Sequence, residues 1–247
     1  MGQRSFFDIE DRLRGISKLG DPLEQLTAAI PWGLFGPRLE PVHEKESKSN
    51  AGHKPFDVVL MFKMLVLQTF SNLADEQVEY PIRDRLSFAR FLGLGIEDEV
   101  PDTTPVWRFR GRLKELGLRE RVFNRFDDFL VAEGFEAKQG QLLDATIVPV
   151  PIPRNPREEN HRIKNGEVPN AWGEAKRAQK DGDGRWTGKR GKRSFGYQNH
   201  IRVDAEHKLI RRFETTPANV HDSRVFDDLI DPDNADPGVW GRQRVLP

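Results

Sequence analysis

The sequence contains no cysteine, and this absence excludes several kinds of chemistry. A disulfide framework, a thiolate metal site and a cysteine nucleophile all require that residue. An excess of one charge sign is also missing, since 39 lysines and arginines balance 39 aspartates and glutamates over 247 residues. The balance excludes a uniformly basic nucleic-acid coat protein and an acidic tail protein, but it leaves local charge asymmetry open.

Long apolar runs are absent as well. The most apolar segment, 58–67, is short and is interrupted by Lys63, whereas a membrane span needs about 18–20 apolar residues. Acidic residues near the start, Asp8 and Glu10, stand where a secretory signal requires an apolar stretch. We therefore expect a soluble, cytoplasmic protein of one or two domains, at about 100–200 residues per domain.

The first half of the chain has the apolar periodicity of helices. Apolar residues recur at intervals of three and four, and most of the runs stop at a glycine. The pattern predicts a helical arm and linker over 1–50 and a helical domain over 51–135. The predicted helices cover 8–30, 55–70, 75–86, 87–92, 104–116 and 119–132.

The pattern changes at Gly140. The run 141–150 is apolar and rich in β-branched residues, which is typical of a strand. Two further strands are predicted at 197–204 and 209–215, joined as a hairpin. A helix over 223–230 follows, and Asp222 is its predicted N-terminal cap. Residues 136–247 are thus expected to form an α/β domain.

A basic insertion separates the first two predicted strands. Residues 151–195 show almost no apolar periodicity, and 154–193 hold 12 lysines and arginines against 6 acids. The segment is not a phosphate-binding P-loop, because the residue after Gly188-Lys189 is an arginine rather than serine or threonine. It is either a DNA-contacting loop or a solvated one. The candidate contacts are Lys189, Arg190, Lys192 and Arg193.

Asp144 is the most informative acidic residue, since it lies inside an apolar strand. Burying a carboxylate is costly unless it is hydrogen-bonded, paired or bound to a cation. Two interpretations stay open on residue type alone. Asp144 either bonds to the local backbone or serves as a metal ligand or acid–base group.

Two other sets of residues invite a functional interpretation. Arg108, Arg110 and Arg112 interleave with aromatic residues on one predicted helix. They suit DNA phosphates, but such stems more often cover a core. His200 and His221 have the chemistry of ligands or general bases, and a lone histidine in a strand is more often simply packed or hydrogen-bonded.

Several motifs in one order resemble a known family. Residues 86–94 (Leu-Ser-Phe-Ala-Arg-Phe-Leu-Gly-Leu) and 101–110 (Pro-Asp-Thr-Thr-Pro-Val-Trp-Arg-Phe-Arg) are similar to the N-terminal domain of InsH-type bacterial insertion-sequence transposases, of the IS-five or IS-four type. Three further segments resemble the beginning of the family's DDE catalytic domain: 143–148, 195–200 and 216–223. The resemblance spans roughly 5–240.

The resemblance implies an RNase H-like fold and DNA transposition. In the family, three carboxylates hold two divalent metals, Mg²⁺ or Mn²⁺, for in-line phosphoryl transfer at DNA ends. Asp144 matches the first carboxylate, so it is the candidate catalytic and metal-binding residue. The implied partners are the terminal repeats of the element and a second transposase chain, either another copy or the full-length protein. A location in the bacterial cytoplasm, on the nucleoid when DNA-bound, follows.

The sequence departs from the family pattern after Trp240. The family continues with a motif like Ala-Asp-Ser-Ala-Tyr, which holds the second carboxylate, while this chain reads Gly-Arg-Gln-Arg-Val at 241–245. Codons GCC GAC AGC GCG TAC encode the family motif, and one additional G before them gives GGC CGA CAG CGC GTA. Those codons encode the residues at 241–245, which suggests a single-base frameshift.

The expected fold is therefore an α-helical N-terminal domain followed by a truncated α/β RNase H-like domain. A counterpart of the third carboxylate, a glutamate on a later helix, is not found in the sequence. The chain is expected to be catalytically incomplete on its own. The alternatives are a DNA-binding fragment that occupies the terminal repeats and inhibits transposition, and a pseudogene product that folds poorly.

Overall fold

The computed structural model describes residues 8–44, 54–167, 169, 172–173, 176, 180–189, 191–236, 238–241 and 244–245. It divides into two compact units, 1–129 and 130–247. The first unit is helical and the second is built on a mixed sheet. A helical region followed by a sheet region was predicted, and this order is confirmed. The boundary falls at Phe129, slightly before the predicted one at residue 135, and lies within a continuous helix.

The first unit consists of helices joined by short 3₁₀ turns. Apolar periodicity predicted the longer ones, and side-chain caps set where they begin. Asp57 accepts a hydrogen bond from the Leu60 amide at 2.8 Å, so the helix predicted from Pro55 begins at Val58. The helices are α1 (Asp8–Lys18), α2 (Pro22–Ala29), α3 (Gly36–Leu39), α4 (Val58–Ser71), α5 (Glu79–Asp84), α6 (Leu86–Leu92), α7 (Thr103–Glu115) and α8 (Leu118–Ala132).

The core of this unit includes residues that the sequence placed in a separate arm. Trp32 and Phe35 are buried, and their rings lie 5.3 Å from Phe91 and 5.0 Å from Phe62, respectively. Lys63, the charged interruption in α4, donates to the Phe91 carbonyl at 2.8 Å and lies over the Trp32 ring. Much of the predicted arm thus belongs to the same packed unit, because its aromatic residues complete the core.

In its described residues, the second unit contains a sheet, two short helices and a 3₁₀ turn. Its strands are β1 (Gln141–Pro149), β2 (Arg185–Lys189), β3 (Lys192–Asp204), β4 (Ile210–Pro217), β5 (Val239–Gly241) and β6 (Arg244–Val245). Helix α9 (Arg157–Lys164) follows β1, and α10 (Phe226–Leu229) lies between β4 and β5. A 3₁₀ turn, Asp222–Arg224, precedes α10.

The long strand β3 organises the sheet. It pairs antiparallel with β1, β2 and β4, while β5 runs parallel to β1 on the other side and β6 pairs with β5. One face packs on α10, where Leu143, Val225 and Leu229 are buried together. Side chains of a strand alternate between faces, so the residues adjacent to Leu143 belong to the other face.

Among the described residues, no single helix is both long enough and apolar enough to span a membrane. One pair, Val58–Ser71 with Asp75–Asp84, bent by 101°, passes that test by length and composition alone.

Candidate functional site

Asp144 lies in the middle of β1, on the sheet face opposite to the one that packs on α10. It stands across from Ile201 of β3 and is half-buried. Among the described residues, its carboxylate has neither a hydrogen-bond nor an ion-pair partner. The interpretation of Asp144 as a strand residue that bonds to its local backbone therefore finds no such bond in this part of the chain.

The nearest strand on the other side of β1 is β5. The parallel pairing runs from Gln141 opposite Val239 to Leu143 opposite Gly241, the last residue of β5. Asp144 is the next residue along β1. The ring of Trp240 packs over two glycines next to this pairing, since a Cβ at Gly140 or Gly238 would clash with it.

Asp144 could contribute one carboxylate ligand to a metal site. Over the described residues, no group of three or more His, Asp or Glu side chains comes close enough to hold a metal ion. A half-buried carboxylate without a partner suits a divalent cation as one ligand. One carboxylate does not fix the positions of two ions.

A buried polar cluster lies on the opposite face of the sheet. His200 is fully buried and pairs through Nε2 with the Thr216 hydroxyl at 2.9 Å. Its Nδ1 lies 3.9 Å from Asp222 Oδ1, and the Gln198 side-chain amide donates to the same oxygen. His200 is thus a packed, hydrogen-bonded histidine. Nothing in the sequence singled out its neighbours Gln198 and Thr216.

The predicted cap at Asp222 is wrong. His221 caps the turn before α10 instead, since its Nδ1 accepts a hydrogen bond from the Ser223 amide at 3.3 Å. The carboxylate of Asp222 contacts β3 and is only 32% exposed. The cap position moved by one residue because Asp222 is used in a long-range hydrogen bond to Gln198.

Lowering the pH is expected to weaken the sheet unit through His200. Burial lowers the pKa of His200 from its ordinary 6.5, against the opposing charges of Asp222 and Glu214. The unfolded chain takes up a proton at a higher pH than the folded chain, so stability falls as the pH drops below 6.5 towards the folded pKa. Urea midpoints at pH 7 and pH 5.5 measure this loss.

His200→Gln keeps a side chain able to bond with Thr216 but does not titrate, so it is expected to lose less stability over that pH interval than the wild type. His161→Gln is the matched control, since His161 is exposed on α9. Equal losses for the wild type and His200→Gln would contradict the assignment.

Asp204 and Arg211 form a buried ion pair that the sequence did not reveal. Their side chains are 1% and 2% exposed, and Arg211 Nη2 lies 3.4 Å from Asp204 Oδ2. The other oxygen of Asp204 accepts hydrogen bonds from the amides of Glu206 and His207. Burial acts to raise the pKa of Asp204, but these bonds and the Arg211 charge prevail and hold its pKa below 3.8.

The three arginines of α7 have different environments. Arg110 pairs with Asp75 at 2.7 Å and donates to Gln68 at 2.9 Å, and Arg112 pairs with Glu115 at 2.9 Å. Arg108 is exposed and, within the described residues, has no side-chain partner. Of the three, Arg108 is the one whose charge has no ion-pair partner in the described part of the chain.

The sequence predicted that the basic insertion is a loop, but the structure shows regular elements in it. It contains α9 and the strand β2, which pairs with the beginning of β3 as a hairpin. Lys192 and Arg193 are exposed on this hairpin, while Arg190 and the side chain of Lys189 lie outside the described part of the chain. Neither α9 nor β2 has a buried apolar face, which explains why periodicity did not predict them.

Two family models match the chain, one on each unit. Residues 11–112 match a transposase domain (DUF772), and residues 136–242 match a transposase DDE domain. No solved structure matches the chain significantly. The chain therefore carries two regions in succession that match transposase domains, a DUF772 domain and a DDE domain.

Proposed function

We propose that the protein is an InsH-like insertion-sequence transposase that acts on the DNA ends of its element by metal-dependent phosphoryl transfer. The matched domains support DNA transposition as the process. The observation that carries the assignment of the site is Asp144, a half-buried carboxylate in an apolar strand with no partner among the described residues. Its place is in the cytoplasm, on the nucleoid when DNA-bound.

The sheet supports an RNase H-like catalytic domain. The strands β1, β3 and β4 lie side by side and are antiparallel. They are followed along the chain by α10 and then by β5, which pairs with β1 and runs parallel to it. In this arrangement the two central parallel strands lie about 4.8 Å apart. Residues at matching positions on β1 and β5 are therefore close enough to share a metal ion.

The register also supports the frameshift proposal. In the unshifted frame, the aspartate of Ala-Asp-Ser-Ala-Tyr would be the second residue after Trp240, at position 242. Leu143 stands opposite Gly241, so a strand that continued by one residue would place that aspartate beside Asp144. The codon match supplies an aspartate at position 242, and the strand register supports the proposal because that position would follow Gly241, which stands opposite Leu143.

Mg²⁺ or Mn²⁺ is the proposed cofactor, with Asp144 as a ligand. When bound, a pair of such ions would activate the attacking hydroxyl and stabilise the leaving oxygen. The chain as it reads offers Asp144 without the second carboxylate, so we propose that it is catalytically incomplete alone.

A second candidate function is a DNA-binding fragment that occupies the terminal repeats and competes with intact transposase. The exposed cations Arg108, Lys192 and Arg193 favour it. Its partners are the terminal-repeat DNA and, in a mixed assembly, another copy of the chain or a full-length transposase. A poorly folded pseudogene product is the third alternative, and cooperative melting of the purified chain would contradict it.

The purified chain is expected to bind duplexes that end in the terminal repeats without cleaving them in Mg²⁺ or Mn²⁺. Because exposed cations displace counterions from DNA, the logarithm of the binding constant falls linearly with that of the salt concentration. Arg108→Ala is expected to reduce that slope by about one. Fluorescence anisotropy over a salt series, with a gel assay for cleavage, measures both.

Arg112→Ala is the matched control, since Arg112 already pairs with Glu115 and its loss should leave the slope nearly unchanged. Salt-insensitive or absent binding would contradict the DNA-binding proposal. Metal-dependent cleavage that Asp144→Ala abolishes would contradict catalytic incompleteness while supporting the role of Asp144.

A further inference from the structure

An exposed aromatic pair lies on the basic hairpin formed by β2 and the beginning of β3. Trp186 stands opposite Phe195, and their ring centroids are 5.6 Å apart. The Trp186 side chain remains 52% exposed, although indole is among the side chains that gain most from burial. This exposure leaves a large aromatic surface available to another molecule.

The pair lies on the same sheet face as Asp144. Along β3, Gly196, Gln198 and His200 are buried on the α10 side, while the alternate residues are half-buried on the other side. Phe195 and Ile201 are both on that other side, and Ile201 stands across from Asp144. Six residues separate them, which is about 20 Å at roughly 3.3 Å per strand residue. A strand within a DNA duplex rises about 3.4 Å per nucleotide, so about six stacked nucleotides span this distance and a more extended unpaired strand spans it with fewer.

Hydrogen bonds from Arg185 to backbone carbonyls hold the hairpin in a fixed conformation. Arg185 points inward and donates to the carbonyls of Gly182, Gly184 and Ile163, so it ties the hairpin to the end of α9. Gly184 leaves room for the Phe195 ring, since a Cβ there would lie 3.0 Å from it. A platform ordered in advance loses little conformational entropy when a ligand binds.

The charges around the pair favour a polyanion. Arg193 is exposed and faces Gly188 across the hairpin, so no side chain stands opposite it. Lys192 is exposed beside it. The nearby carboxylate of Asp181 opposes these cations in charge, and one of its oxygens is held by hydrogen bonds from the Tyr197 hydroxyl at 2.6 Å and from the Gly184 amide at 2.9 Å.

We infer that Trp186, backed by Phe195 and flanked by Arg193, stacks an unpaired base of a DNA strand whose phosphodiester lies at Asp144. Base stacking on an aromatic side chain tolerates any sequence, because every base has a π-face. The inference rests on the proposed function and adds a positioning residue to it. The pair holds a frayed or single-stranded end at a fixed distance from the carboxylate.

The test compares a 20-nucleotide single-stranded DNA, with 2-aminopurine at successive positions, and the duplex of the same sequence. Trp186→Ala in the full chain is expected to weaken single-strand binding by about five- to 150-fold. Duplex binding is expected to change less than about two-fold, because paired bases do not reach the indole. Quenching of 2-aminopurine, a signature of stacking, is expected to disappear in the same variant.

Trp186→Phe is expected to retain most of the affinity and the quenching, and Trp186→Leu to lose both. Trp107→Ala is the matched control, since Trp107 is 58% exposed on the helical unit. Because Trp186 is half exposed, the substitutions should leave the melting temperature nearly unchanged.

Three outcomes would overturn the inference: equal losses for single strand and duplex, no loss at all, or full retention by Trp186→Leu. Tighter Trp186-dependent binding of an RNA of the same sequence would overturn the choice of DNA. Binding to the terminal repeats tests the proposed function separately. Normal repeat binding with no Trp186 effect rejects this inference alone, and a Trp186 effect without repeat preference rejects the proposed function alone.

Discussion

Asp144→Asn is expected to reduce end cleavage by at least about three orders of magnitude in a chain whose frame has been restored after codon 240. A metal ion that polarises a phosphoryl oxygen supplies several kcal/mol of transition-state stabilisation, and about 4 kcal/mol corresponds to that factor. Asparagine has nearly the shape of aspartate, so β1 and its pairing with Ile201 should persist while the charge that holds the cation is lost.

The experiment removes one base after codon 240, which under the proposed frameshift makes the gene encode Ala-Asp-Ser-Ala-Tyr and continue in that frame. Cleavage of labelled terminal-repeat duplexes is followed in Mg²⁺ and in Mn²⁺. Asp183→Asn is the control, because Asp183 is also an exposed acid of the sheet unit but lies in the loop before β2. A restored chain that cleaves equally well with Asp144→Asn would refute the metal-binding role.

The genomic sequence provides a simpler check of the same proposal. If neither shifted frame downstream of codon 240 encodes a motif like Ala-Asp-Ser-Ala-Tyr, the frameshift explanation fails. The role of Asp144 would then have to be tested on the chain as it reads.

Asp204→Ala is expected to destabilise the sheet unit by about 3–5 kcal/mol, because it removes a buried carboxylate that faces the Arg211 guanidinium and accepts two amide hydrogen bonds. Arg211 is 2% exposed and stays inside the protein after the substitution. The amides of Glu206 and His207 lose their acceptor as well, so the turn between β3 and β4 is weakened along with the ion pair.

Hydrogen exchange of the β3 and β4 amides measures this loss within the sheet unit. Asp228→Ala, an exposed acid on α10, should change protection by less than about 0.5 kcal/mol. Since the folded pKa of Asp204 is lowered, its contribution is present above its ordinary pKa of 3.8 and disappears as the pH falls through the folded pKa. A loss below about 1 kcal/mol at pH 7 would contradict the buried-pair argument.

Much of the helical unit was predictable because its helices have apolar faces and local caps. The helix predicted over 104–116 runs from Thr103 to Glu115, since Asp102 caps it through the Thr104 amide at 2.7 Å. An Asp before an apolar-periodic run is a local signal, and local signals can be identified in a sequence. The strand that holds Asp144 was found in the same way, from a short β-branched run.

Contacts between distant residues could not be predicted. Arg110 was considered for DNA phosphates, but it pairs with Asp75, 35 residues earlier in the chain. Asp222 was assigned to a cap, but it bonds with Gln198, 24 residues earlier. In both cases a charged side chain had a reasonable local role, and the tertiary fold provided a partner that no sequence spacing indicates.

The hairpin of β2 and β3 was missed for a different reason. Its composition is polar and basic, and Trp186 and Phe195 are too few to produce an alternating apolar pattern. Hydrogen bonds to backbone carbonyls, such as those from Arg185, stabilise it instead of a buried core.

The packing of Trp240 has a consequence for how the gene tolerates change. The indole closes over Gly140 and Gly238, so the pairing of β5 with β1 is anchored by codons up to 240. The residue beside Asp144 would be encoded by the second codon after that. Selection for a folded protein and selection for an active one thus act on adjacent but separate stretches of the gene. Under the proposed frameshift, a chain altered after codon 240 keeps the pairing of β5 with β1, and removal of one base would return an aspartate to the position beside Asp144.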